Sequence, residues 1–119
     1  MGYDEDLADR VCASLGDTGG VTELRMFGGW GITIHGNMAV GVMNEDLIVR
    51  VGPADYHAAL ARPETRPFDF TGSSMTGWVY VDGDAVASRR SLEHWVRAGV
   101  RFAQSLPPKQ QRRRKRPAL

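Results

Sequence analysis

Between Met26 and Val51 three short apolar runs follow one another with only tight turns between them, and few folds can bury runs spaced that closely. Trp30, Ile32 and Ile34 alternate with Gly31, Thr33 and His35, the period of two that gives a strand one buried face. Gly36-Asn37 has the composition of a two-residue hairpin loop, because both residues tolerate φ > 0. Met38, Val40 and Val42 carry the alternation on, Asn44-Glu45-Asp46 turns the chain again, and Leu47, Val49 and Val51 make a third run. The expectation is an antiparallel meander. Its glycines, Gly28, Gly29 and Gly31, lack dinucleotide-fingerprint spacing and precede no Lys-Ser or Lys-Thr. They read as a bulge or a close backbone approach rather than as a phosphate loop or an anion nest.

The flanking segments supply helices. Residues 4–15 place Leu7, Val11 and Leu15 every four positions, with Ala8 and Cys12 beside them and Asp9, Arg10 and Ser14 opposite. Acids fill the first turn, and Gly16 stops the helix. Val21 to Phe27 reads as a lead into the meander. Pro53-Ala54-Asp55 opens a short helix to Leu60 or Ala61, and two prolines keep residues 62–67 irregular. Phe68 and Phe70 alternate about Asp69 as a fourth strand, Thr71 to Thr76 is a polar loop, and residues 77–81 form a fifth strand. Asp82-Gly83-Asp84 is a turn. A last helix runs from Arg89 to Ser105 behind the N-cap Ser88, with Leu92, Trp95, Val96, Gly99, Phe102, Ala103 and Leu106 as its apolar stripe. Trp78, Trp95 and Phe68 are expected in the core, packing this helix on the sheet.

The order α-β-β-β-α-β-β-α implies a two-layer α+β domain over residues 1–106. Its sheet is five-stranded and mainly antiparallel, with helices on one side. Residues 107–119, behind Pro107-Pro108, read as a disordered basic tail.

Charge divides the chain unevenly. Residues 1–108 hold nine Arg, no Lys and 14 acids, a formal −5, and no acidic side chain follows Glu93. Lys109, Arg112, Arg113, Arg114, Lys115 and Arg116 carry +6. The expected nucleic-acid contact is therefore this tail, weak and non-specific, and lost on deleting residues 109–119. The alternative is a solvated tail that aids solubility. No aromatic residue interleaves these cations, so stacking on single-stranded bases is not supported.

Catalytic chemistry finds little to work with. His35, His57 and His94 are scattered, and none belongs to a His-Glu-x-x-His pattern. Cys12, the single cysteine, sits beside an apolar stripe and reads as a buried, inert thiol. Ser73 and Ser74 have no local base, and Asp82 and Asp84 lack the remaining oxygens of an EF-hand. No enzyme, cofactor or metal site is expected. There is no apolar run near 18 residues and no basic-then-apolar leader, so no membrane contact and a cytoplasmic location are expected.

A resemblance appears once these pieces stand in order. Met26-Phe27-Gly28-Gly29-Trp30-Gly31, Gly36-Asn37-Met38, Leu47-Ile48-Val49-Arg50, Pro67-Phe68-Asp69-Phe70, Met75 before Gly77-Trp78-Val79, and Leu92 with Trp95 and Ala98 resemble the N-terminal domain of the TfoX/Sxy family. The likeness covers roughly residues 8 to 104. It implies a bacterial protein with a small two-layer α+β domain. The best-known members regulate natural competence with the cyclic AMP receptor protein and carry a second, C-terminal domain, where this chain has the basic tail.

The functional reading is a non-enzymatic binding domain of transcription-associated, competence-regulator type, acting through protein or nucleic-acid contacts. The outer sheet face, with Thr33, His35, Ala39, Gly41, Met43, Ile48 and Arg50, is small and semi-apolar. Met43, Ile48 and Arg50 are the candidates for a protein partner or a second copy, with an unprotected sheet edge as another route to a homodimer. Cover by a helix or by the 71–76 loop is the competing explanation of that face. The alternative function is a small-ligand-binding or catalytic domain using a pocket near the 71–76 loop, where His35, Arg50 and Ser74 would converge.

Overall fold

The computed structural model describes residues 2–26, 28–69 and 75–109. Helix α1 spans Glu5–Leu15, capped by Asp4, whose Oδ1 accepts from the Leu7 amide at 3.1 Å, and it ends at Gly16 with φ +57°. Strands β1 (Val21–Met26), β2 (Gly29–Ile34), β3 (Asn37–Met43) and β4 (Asp46–Arg50) follow, then a short helix α2 (Tyr56–Leu60). Strands β5 (Thr65–Pro67) and β6 (Trp78–Val81), a 3₁₀ turn at Gly83–Val86 and the long helix α3 (Arg89–Ser105) complete the domain. Ser88 Oγ accepts from the Ser91 amide at 3.1 Å, so α3 begins where its sequence signal lies.

The domain is α+β, and its sheet has six strands, all antiparallel, in the order β1-β2-β3-β4-β6-β5. The expected count was five. The added strand is β1, whose Thr22, Glu23 and Arg25 are exposed, so no apolar alternation announces it. The strand expected at Phe68–Phe70 falls instead on Thr65–Pro67, inside the two-proline segment expected to be irregular. An edge strand of three residues tolerates Pro67 because it needs no N–H on its free side. Phe70 and residues 71–74 lie outside the described residues, as does Phe27.

The β2–β3 loop is His35-Gly36, one residue earlier than the sequence suggests. Both residues are left-handed, with φ +51° and +85°, as a type I′ turn requires. Ile34 then faces Asn37 and Thr33 faces Met38, after which the register slips so that Ile32 faces Val40. Ala39 is the extra residue of that bulge. Without it Val40 would lie opposite Gly31, on the face away from Ile32. The bulge thus turns Val40 and Val42 onto the same buried face as Trp30, Ile32 and Ile34.

That face is the core. Leu7, Val11 and Leu15 from α1 and Leu92, Trp95, Val96 and Ala103 from α3 cover Ile32, Ile34, Val40, Val42, Leu47, Val49, Val79 and Val81. The helix comes closest at Gly99, where a Cβ would meet the Ala39 carbonyl oxygen and lie 2.7 Å from Val40 Cγ1.

Candidate functional site

The opposite sheet face explains where two of the expected core aromatics went. Trp95 is 4% exposed within the main core. Phe68 and Trp78 instead sit on the far side of the sheet, with ring centroids 5.9 Å apart, and Phe68 meets Tyr80 edge-on at 5.1 Å. Met38 lies across the same face: a Cβ on Gly31 would strike its Cε and approach its Sδ to 3.2 Å. The close backbone approach expected of these glycines is therefore at Gly31, while Gly28, with φ +77°, serves the β1–β2 turn.

The residues proposed for protein contact all belong to this face. Ile48 is only 5% exposed, so it offers a partner little surface. Met43 is half-buried, and its Sδ accepts from Tyr80 Oη at 3.7 Å. Arg50 is half-buried, with its guanidinium 5.1 Å from the centre of the Trp78 ring and 5.3 Å from that of Phe102. Burial lowers its pKa from the ordinary arginine value. Arg66 closes the face's far edge, stacking at 4.8 Å on Tyr80 and pairing with Asp46 at 2.9 Å and with Asp82. The Asp46 hydrogen bond chiefly raises its pKa.

Of the expected histidine-arginine-serine pocket, only His35 and Arg50 are among the described residues. His35 sits in the β2–β3 turn with its ring against Gly20, and no hydrogen bond or ring contact joins it to Arg50. Ser73 and Ser74 lie outside the described residues. Cys12 is half-buried, and burial, then the charges of Glu23 and Asp9, raises its pKa. No three His, Cys, Asp or Glu side chains among the described residues are grouped to hold a metal, and none of their helices is long and apolar enough to cross a membrane.

One surface gathers several basic side chains. Arg90, His94, Arg97 and Arg101 recur at helical spacing and lie together along one exposed face of α3. This face walls an open groove of about 740 Å³ whose other side is α2, with Arg62 at its end. Arg62 is held by Glu64 at 2.8 Å and lies 5.5 Å over Trp95, whereas Arg90, Arg97 and Arg101 make no ion pair with the described residues. In the sequence these arginines stand, with Glu93 and Gln104, opposite the apolar stripe of the last helix. Their signal was the 4-3-4 spacing together with the absence of acids after Glu93.

Acids gather around a second hollow, together with Arg10 and Arg66. Asp4, Glu45, Asp46, Asp82 and Asp84 line this hollow between the start of α1, the β3–β4 turn and the 3₁₀ turn. The arginine groove is not free of acids: Asp55 and Glu93 line it too, against the four arginines Arg62, Arg90, Arg97 and Arg101, so it is basic on balance.

A model of the TfoX N-terminal domain matches residues 13–103. The chain belongs to that family. The TfoX N-terminal match runs from within α1 to near the end of α3 and so contains the arginine stripe, while the basic residues from Lys109 onward lie beyond it. No curated protein and no solved structure matches the chain. Lys109 is exposed, with its amide donating to His35 O at 2.8 Å, and Asn37 Nδ2 donates to Pro107 O at 2.9 Å. The chain leaving α3 is thereby held against the β2–β3 turn. Arg112, Arg113, Arg114, Lys115 and Arg116 lie outside the described residues.

Proposed function

We propose that this TfoX N-terminal domain is a non-enzymatic, transcription-associated binding domain of the cytoplasm that contacts nucleic-acid phosphates. The α3 stripe and the basic tail act as one surface. The carrying observation is the row of Arg90, Arg97 and Arg101, exposed, free of ion pairs with the described residues, and followed in sequence by cations only. Over the eleven steps from Arg90 to Arg101 the helix advances about 16 Å, enough to meet several phosphates of a duplex backbone. Such contacts position a protein on nucleic acid without reading its sequence. Selectivity for particular promoters would then come from a partner protein, and the competence-type role is read in that sense.

The reading is tested by pulling the protein from native lysate with and without nuclease. Nucleic acid should accompany the wild type, vanish after nuclease, and be depleted when Arg97→Glu and Arg101→Glu are combined. Recovery of no nucleic acid with the wild type would overturn it.

A further inference from the structure

The two edges of the sheet are treated differently. At one, β5 has three residues, ends in Pro67, which lacks an N–H, and carries Arg66 locked onto Asp46 and Asp82. At the other, β1 runs for six residues, Val21–Met26, without proline or lysine, and stands last in the strand order. Its backbone phase can be read. The His35 amide donates to Gly20 O at 2.9 Å, in line with the ladder that pairs Val21 with Ile34. Residues paired as Gly20 is, namely Thr22, Leu24 and Met26, therefore direct their N–H and C=O groups at β2. Val21, Glu23 and Arg25 direct theirs outward, to the open edge.

We infer that this edge pairs with the same edge of a second copy. The two β1 strands run antiparallel about a two-fold axis at Leu24 and make one continuous sheet. Backbone phase restricts the register, because outward residues must meet outward residues. An axis at Glu23 or at Arg25 satisfies that but sets like charges directly opposite. An axis at Leu24 sets Glu23 against the second copy's Arg25 and, by symmetry, Arg25 against the second copy's Glu23. Glu23 is exposed and oriented by two neighbours: its Oε1 accepts from Trp30 Nε1 at 3.0 Å, and the Cys12 thiol lies beside its carboxylate. Arg25 is exposed and has no ion pair with the described residues. The half-buried Leu24 meets its equivalent in the closer, non-hydrogen-bonded kind of pair. Glu23 and Arg25 lie on the helix-bearing face, in register with Ile32 and Trp30, so both helix layers fall on one side of the joined sheet.

Sedimentation of the nuclease-treated full chain over a wide concentration range tests the inference, independently of any nucleic-acid binding. The wild type should dimerise. Arg25→Glu alone, and Glu23→Arg alone, place like charges opposite each other at both positions. Each should weaken self-association about tenfold to a hundredfold while keeping a cooperative melt. Mixing these two variants restores attraction at both positions and should give a dimer containing one copy of each. Combining both changes in one chain should restore the homodimer even if Glu23→Arg alone folds poorly. In the wild type the Val21, Glu23 and Arg25 amides should exchange with solvent more slowly as concentration rises. A wild type monomeric throughout, or a dimer indifferent to either charge reversal, would overturn the inference.

Discussion

Gly99 and Trp95 fix how α3 sits on the sheet. A Cβ at position 99 would press on the Ala39 carbonyl and come within 2.7 Å of Val40 Cγ1, neighbours held by the bulge and unable to retreat far. Gly99→Ala should therefore lower stability by about 1–3 kcal/mol through overpacking, although alanine is the better helix former. Denaturant unfolding measures this, and a more stable Gly99→Ala would contradict the close approach. Trp95 fills the space between helix and sheet at 4% exposure, so Trp95→Ala should cost about 3–5 kcal/mol. An unchanged melting temperature would remove it from the core. Trp78 invites no such figure: it is half-buried on the far face, where Arg50 covers its ring.

At the scale of elements, the helices and the meander were legible because each buries one regularly spaced apolar face, and Asp4, Gly16 and Ser88 mark their ends chemically. The strand edges were not. Strand β1 is solvated along much of its length, and β5 joins the sheet through three backbone positions, so neither needs an apolar pattern. The slip at Ala39 was present in the sequence as an arithmetic conflict. Ile34 and Val40 are both even-numbered, and a two-residue loop always places them on opposite faces unless a bulge intervenes. The aromatic cluster of Phe68, Trp78 and Tyr80 was hidden for a different reason: a second apolar layer looks like core until the sheet's two faces are told apart. The site followed the same rule. The tail's cations are a visible run, whereas those of α3 are spaced by turns of helix and become a stripe only once the helix is laid down. The segment after α3 gives an element-scale prediction. Deleting residues 110–119 leaves the bonds Asn37 Nδ2 to Pro107 O and Lys109 N to His35 O, while deleting 107–119 removes both. The shorter chain should be less stable by about 1–3 kcal/mol, and equal urea midpoints would show that the contacts contribute nothing.

For the whole molecule, the question is whether a body of net −5 can take part in binding a polyanion. Net charge argues against it and charge placement argues for it: in the hollow around Asp46 and Asp82 acids outnumber Arg10 and Arg66, whereas in the groove of Arg90, Arg97 and Arg101 arginines outnumber Asp55 and Glu93. Within a Debye length of about 8 Å at physiological salt, the local arrangement outweighs the sum. The measurement that tests this most directly is the salt dependence of duplex DNA affinity for the intact chain and for the chain cut after Lys109. Each phosphate contact contributes about −0.9 to the slope of log K against log salt. Nine available cations set a limit of about −8 for the intact chain. The cut chain, keeping Arg90, Arg97, Arg101 and Lys109, should still bind, more weakly, with a slope of about −3 to −4. Adding Arg97→Glu and Arg101→Glu to the cut chain should abolish that remainder. A cut chain that no longer binds, or one whose binding survives both charge reversals, would contradict the assignment of the site to α3.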